Sequence, residues 1–168
     1  MTTMNVNNNA HYVGIFIGNG YLSGTQHGIQ AGHVVAKLFP KYDSIMKHPE
    51  EKMILFQWAN EPEKWILDGG HQEHTLAQVL AILTRVSKHI DLPFADFIES
   101  KSAIAGIRTS VGFVVDINRF NKEELVDRKM TPRDVLNDLD NLKQQKKKLT
   151  TQQCYSILHW LAYKFKRA

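Results

Sequence analysis

The sequence predicts an α/β fold: a four-stranded mixed β-sheet flanked by helices, in the order β-α-α-β-α-β-β, with a C-terminal helical extension. Three observations carry this. YVGIFIG (12–18) is a continuous apolar, β-branched and aromatic run, as expected of a strand buried on both faces. HTLAQVLAILTRVSKHI (74–90) repeats apolar residues at three- and four-residue intervals through Leu76, Val79, Leu80, Leu83 and Val86, the spacing of an amphipathic helix. Short strand-like and longer helix-like segments then alternate along the first two thirds of the chain, which is the pattern of helices packed over a sheet.

In order, the run 12–18 leads into a turn marked by Gly18, Asn19, Gly20, Ser23 and Gly24. Helical spacing follows from about Thr25 to Phe39 and is expected to stop at Pro40. PEEKMILFQWAN (49–60) opens with proline and two acids, as a helix N-terminus does. EKWILDGG (63–70) reads as a strand closed by two glycines. Asp91-Leu92-Pro93 stops the helix over 74–90. FADFIES (94–100) and VGFVVDI (111–117) are the third and fourth strands, joined by the loop KSAIAGIRTS. After Asn118 the character changes. KEELVDR (122–128) suits a short helical turn. Thr131-Pro132-Arg133-Asp134 begins a helix that runs to Lys146–Lys148. Thr150 or Thr151 caps a last helix, with Cys154, Ile157, Leu158, Leu161 and Phe165 on one stripe and the chain ending KFKRA. The expected organisation is a flexible start over 1–11, an α/β domain over 12–118 and a helical extension over 119–168, packed on the core or on a partner.

Composition narrows the function. The 168 residues are 43% hydrophobic and 23% charged, enough for a buried core and inconsistent with a disordered chain. A net charge of +4 and pI near 9.1 permit a polyanionic partner without requiring one. The single cysteine, Cys154, excludes an internal disulfide and fits the cytoplasm. It sits on an apolar helical stripe, as a core residue does. No run approaches the ~20 apolar residues of a membrane span, and the start MTTMNVNNNAH has no signal-like apolar segment.

The first helix carries an unusual face. Gln26, Gln30, His33 and Lys37 fall at i, i+4, i+7 and i+11, one stripe along the helix. Its bland reading is a solvated surface; its sharper one is a ligand or catalytic site. Gly28 and Gly32 lie between, each costing about 1 kcal/mol in a helix relative to alanine. That cost suggests a compensating close approach, to the sheet or to a ligand. Other motifs are weaker. Gly18-x-Gly20-x-x-x-Gly24 is one residue too long for a dinucleotide fingerprint. His71-x-x-His74, with Glu73 between, lacks the acid placement of a zinc helix, and no metal site is expected. There is no G-x-S-x-G nucleophile turn.

Taken together and in order, these pieces resemble the class II peptidyl-tRNA hydrolases of archaea and eukaryotes. Gln30-Ala31-Gly32-His33 matches the family's Q-x-x-H element on the first helix. QWANEPEKWILDGG, with Trp58, is similar to the family's second helix and second strand. Leu92-Pro93-Phe94-Ala95-Asp96-Phe97-Ile98-Glu99 follows the family's Leu-Pro and acid-ended strand, and GIRTSVG (106–112) resembles the glycine loop and threonine before its last strand. The resemblance covers about residues 12–117. Departures are visible: the family's two lysines at the start of the helix fall at Gly24 and Gln26, its aspartate is Glu99, and its usual loop is replaced by ESKSAIA.

The resemblance implies hydrolysis of the ester between a peptide, or an N-blocked amino acid, and tRNA, without a cofactor. Under it His33 is the general base, Glu99 orients His33 or the water, Thr109 supplies a hydroxyl and Gln30 donates to the substrate carbonyl. Gln26, Lys37, Lys101 and Arg108 are expected at the substrate, the last three in place of the missing positive charge. Lys146, Lys147, Lys148, Lys164, Lys166 and Arg167 form a basic segment suited to tRNA phosphates. The alternative is a catalytically inactive tRNA- or nucleotide-binding or regulatory module on the same fold. No membrane partner is expected, and the family commonly pairs, so a homodimer is the implied assembly.

Overall fold

The computed structural model describes residues 9–44, 46–72, 74–100, 102, 106–120 and 126–168. β1 (Tyr12–Gly18), β2 (Glu63–Asp68), β3 (Phe94–Ile98) and β4 (Arg108–Asp116) form a mixed sheet in the order β3-β4-β1-β2. β1 runs parallel to β2 and antiparallel to β4, and β3 is antiparallel to β4. β1, β2 and β3 thus run the same way and two crossovers are needed: α1 (Gly24–Lys41) and α2 (Pro49–Asn60) lead from β1 to β2, and the next helix leads from β2 across the sheet to β3. The expected α/β fold is the observed one.

Alternation along the strands directs two cores. Val13, Ile15 and Ile17 point to one side of β1 and join Val111, Phe113 and Val115 of β4 beneath α3 (Thr75–Val86). Phe16 points to the other side and meets Val34 and Leu38 of α1, Leu55 and Trp58 of α2, and Val114. Glycines on that side leave room for large rings. A Cβ on Gly112 would lie 2.4 Å from Phe16 Cδ1, and one on Gly14 2.6 Å from Trp58 Cζ2.

The C-terminal residues build the second layer of this sandwich. α4 (Pro132–Gln144) contributes Val135 and Leu139, and α5 (Thr151–Lys164) contributes Cys154, Ile157, Leu158 and Leu161, all in the core shared with β1, β4 and α3. The extension expected over 119–168 thus packs on the sheet itself. Arg85 on α3 and Asp140 on α4 close the contact with a 2.7 Å ion pair. The end KFKRA, expected to finish the last helix, instead turns at Phe165 and forms β5 (Lys166–Arg167), antiparallel to Leu67 and Asp68. This short strand covers the free edge of β2.

Several boundaries shift for local reasons. α1 runs to Lys41, one residue past Pro40, because a proline in the last turn removes only one donor. α3 stops at Val86 rather than near Ile90: Thr84 Oγ1 donates to the Leu80 carbonyl at 2.8 Å and Ser87 Oγ to that of Thr84 at 3.1 Å. These hydroxyls compete for helix acceptors, and tighter three-residue turns follow. Residues 9–11, expected to be flexible, are tied down. The His11 amide donates to Asp116 Oδ1 at 2.9 Å, and Asn118 Nδ2 donates to the Asn9 carbonyl at 2.7 Å. Both Thr131 and Thr150 close capping boxes, which settles Thr150 as the cap of the last helix. The helical turn expected over 122–128 lies mostly outside the described residues.

Candidate functional site

α1 starts just beyond the C-terminal end of β1 and packs back over β3 and β4, and its polar stripe is not one solvated face. Gln30 is 8% exposed and His27, between the stripe positions, 4%; His33 and Lys37 are open to solvent. Gln30 sits at the centre of a hydrogen-bond chain. Thr109 Oγ1 donates to Gln30 Oε1 at 2.9 Å, and Gln30 Nε2 donates to Glu99 Oε2 at 3.1 Å. The chain joins three elements and leaves one Gln30 N–H outside these two bonds.

A bulge makes this possible. Phe97 pairs with Ser110 and Ile98 with Arg108, so Thr109 is the extra residue on β4. A bulged residue leaves the strict alternation of a strand. Thr109 thereby turns its side chain to α1, while its carbonyl accepts from the Asn19 amide at 3.0 Å. β4 begins at Arg108 rather than Val111, so the threonine expected in a loop belongs to a strand. Glu99 is held just past β3 by its own amide, which donates to the Ile107 carbonyl at 3.0 Å.

One turn along α1, the His33 ring stacks on Phe97 with centroids 4.4 Å apart and planes at 13°. Lys37 Nζ stands 5.2 Å from the centre of the same ring. Glu99, just past the end of β3, is two residues from Phe97, as Gln30 is one turn from His33 on α1. His33 and Glu99 therefore border one strip of surface, His33 through its stack on Phe97 and Glu99 through its bond from Gln30.

Other expected site residues have different partners. Gln26 is the third residue of the α1 capping box: its side chain accepts from the Ser23 amide at 2.9 Å. Arg108 is held by Asp96 at 2.7 Å. Lys101 lies outside the described residues. Lys146, Lys147 and Lys148 are exposed at the end of α4, across the sheet from α1. Lys164 Nζ donates to the Arg128 carbonyl at 3.0 Å, Arg167 stands over Trp65, and Lys166 pairs through its backbone with Asp68. The basic segment and the α1 strip are on different layers.

His27 is the buried polar residue that periodicity missed. Its Nε2 is 2.8 Å from the Asn19 carbonyl, and its ring fills the space above Gly18, where a Cβ would lie 2.4 Å from Cδ2. Gly20 similarly admits Gly70, 2.7 Å from where its Cβ would be. The glycines of the β1–α1 turn thus admit the chain itself. The absence of a side chain at Gly18 was the available signal that a ring packs there. Gly28 and Gly32, by contrast, face open space: a Cβ on either meets nothing within 4 Å. The close approach to the sheet expected of them is absent.

His71 packs against Tyr21, and Glu73 lies outside the described residues; among those described, no three metal-binding side chains converge. Burial pushes the Cys154 thiol up to about 11, consistent with an inert core residue. No described helix is long and apolar enough to cross a membrane. Comparison with protein-family models finds no match, and neither does comparison with curated proteins.

Proposed function

We propose that the chain is a peptidyl-tRNA hydrolase-like esterase acting on the bond between an N-blocked amino acid or peptide and tRNA. The observation that carries the reading is the Thr109–Gln30–Glu99 hydrogen-bond chain beside an exposed imidazole on Phe97. His33 takes the proton from an attacking water, as a solvent-open imidazole can. Glu99, steadied by Gln30, holds that water from its other side. Lys37 offers positive charge to the developing oxyanion or to a substrate phosphate. Thr109 is a positioning residue: at 2% exposure, with its hydroxyl on Gln30, it does not reach substrate.

The test is release of N-acetyl amino acid from N-acetyl-aminoacyl-tRNA by the purified chain. His33→Ala is expected to lower kcat/KM by about a hundredfold, the scale of a lost general base. Glu99→Gln is expected to lower kcat more than it raises KM. A rate unchanged in His33→Ala would sink the assignment. The second reading, a binding module, is favoured by one observation: the positions of the family's helix-leading lysines hold Gly24 and the capping residue Gln26. Saturable tRNA binding without turnover would select it.

Phosphate contacts are tested separately. Deleting residues 140–168 removes α5 from the core, so it reports on folding. Joint replacement of Lys146, Lys147 and Lys148 by Gln leaves the core intact. It is expected to weaken tRNA binding and to flatten its dependence on salt. An unchanged salt slope would take the cluster out of the interface.

A further inference from the structure

A cavity lies at the other end of β1, roughly 20 Å from Thr109 on strand repeats. It has a volume of about 340 Å³, and its floor is formed by Tyr12, Ile54, Val114 and Tyr155. Glu50, Asp91 and Arg119 stand around it. Asp116 also borders it, but its carboxylate already accepts from the His11 and Asn118 amides at 2.9 and 3.1 Å.

Two features mark it as a binding site. First, Tyr155 is only 7% exposed and lines the cavity from α5. The charges acting on its hydroxyl, Arg119, Asp116 and Asp91, border the cavity as well. Burial keeps it a protonated donor, with its pKa pushed up to about 12. Second, charges of opposite sign share the cavity without joining. Among the described residues Arg119 forms no ion pair, and neither does Glu50 or Asp91. Arg119 is instead oriented by Tyr155, its guanidinium carbon 4.4 Å from the ring centre. Partial desolvation raises the Asp91 carboxyl above its ordinary value, and the carboxylates of Glu51 and Glu50 raise it further. A cation there relieves that repulsion.

We infer that this cavity binds a small zwitterion, an amine-bearing carboxylic acid, with its ammonium at Glu50 and Asp91 and its carboxylate at Arg119 and the Tyr155 hydroxyl. Guanidinium and hydroxyl supply charge-assisted donors for one end, and two carboxylates accept from the other. The aliphatic middle of the ligand lies on Ile54 and Val114. The site is independent of ester hydrolysis, and its residues are remote from His33.

The test is calorimetric titration of the full chain with ω-amino acids from glycine to 6-aminohexanoate, against butylamine and butyrate. Saturable binding is expected to peak at one chain length, with butylamine and butyrate at least tenfold weaker. Arg119→Gln and Asp91→Asn should each weaken the best amino acid by about tenfold. Arg119→Gln should leave butylamine unaffected, and Asp91→Asn should leave butyrate unaffected. Both positions are exposed, so the fold tolerates the changes; Tyr155→Phe, a buried site, is read only with an unchanged circular dichroism spectrum. No saturable heat at millimolar concentration from any amino acid overturns the inference. So does butylamine binding as tightly as the amino acids, or affinity indifferent to both Arg119 and Asp91. Ester hydrolysis should be unchanged in all three variants, which separates this site from the one on α1.

Discussion

Thr109 and Gln30 are 79 residues apart in sequence and 2.9 Å apart in space, and their hydrogen bond pins the β4 bulge to the middle of α1. Both are buried, so the bond is the folded structure's means of satisfying two polar groups that water does not reach freely. Its strength is measurable apart from any activity. Thr109→Val keeps the shape and removes the donor, leaving Gln30 Oε1 without its hydroxyl. The expected cost is about 1–2 kcal/mol by urea unfolding. In a double-mutant cycle with Gln30→Ala, the two effects should be clearly less than additive. Additive effects would mean that the bulge is held by the backbone alone.

The His33–Phe97 stack predicts a spectroscopic signature. A ring 4.4 Å away and nearly parallel shields the imidazole protons. In the native protein the His33 Cδ2 and Cε1 proton resonances should lie upfield of their positions in an unfolded chain. Phe97→Leu should return them most of the way while retaining an apolar contact. Because Lys37 shares the ring, the same variant should loosen the lysine and raise KM for tRNA ester more than it lowers kcat. Unmoved His33 resonances would show that the ring is not held on Phe97 in solution.

Much of this arrangement was legible in residue order, and the failures have physical causes. The strand 12–18 was legible because both of its faces are buried, and the 74–86 helix because its apolar stripe meets a core. The polar stripe of α1 was legible as a stripe, but not its burial: Gln30 is covered only because β3 and β4 arrive beneath it. Thr109 read as a loop residue because a bulge has no periodicity of its own, only an extra residue in a pairing made elsewhere. The C-terminal helices read as an extension because amphipathic spacing shows that a face is buried without showing what buries it. The cavity at Tyr155 was invisible for the same reason, being assembled from α2, the segment after α3, β4 and α5.

The cap of α4 predicts an acid-dependent contribution to stability. Asp134 accepts from the Thr131 amide and hydroxyl, both at 2.7 Å, and these bonds hold its carboxyl below the ordinary value of 3.8. A carboxyl depressed in the folded state stabilises above its unfolded value and ceases to do so as pH falls through the folded one. Asp134→Asn should therefore lower the melting temperature near neutrality, with the gap to wild type narrowing below pH 3.8. Thr131→Ala should behave alike while also removing the hydroxyl that caps the Asp134 amide. A gap that stays constant on acidification would mean that the carboxylate contributes nothing beyond the shape of the cap.

The last prediction concerns the two glycines on the open side of α1. A Cβ at Gly28 or Gly32 meets nothing, and neither has a positive φ, so no packing or backbone strain explains them. Alanine at either position should stabilise the chain by about 1 kcal/mol, since it restricts the unfolded chain and favours the helix. If a substrate lies along α1 beside His33, the added methyl at Gly32 falls where that substrate must approach, and activity should drop while the melting temperature rises. Thermal unfolding and ester hydrolysis on the same variants decide it. Gly32→Ala that is both more stable and fully active would show that this face of the helix stays clear of substrate. Gly28, one turn nearer the N-terminus, then serves as the internal comparison: stability gained at both positions but activity lost at only one would mark how far along the helix the substrate extends.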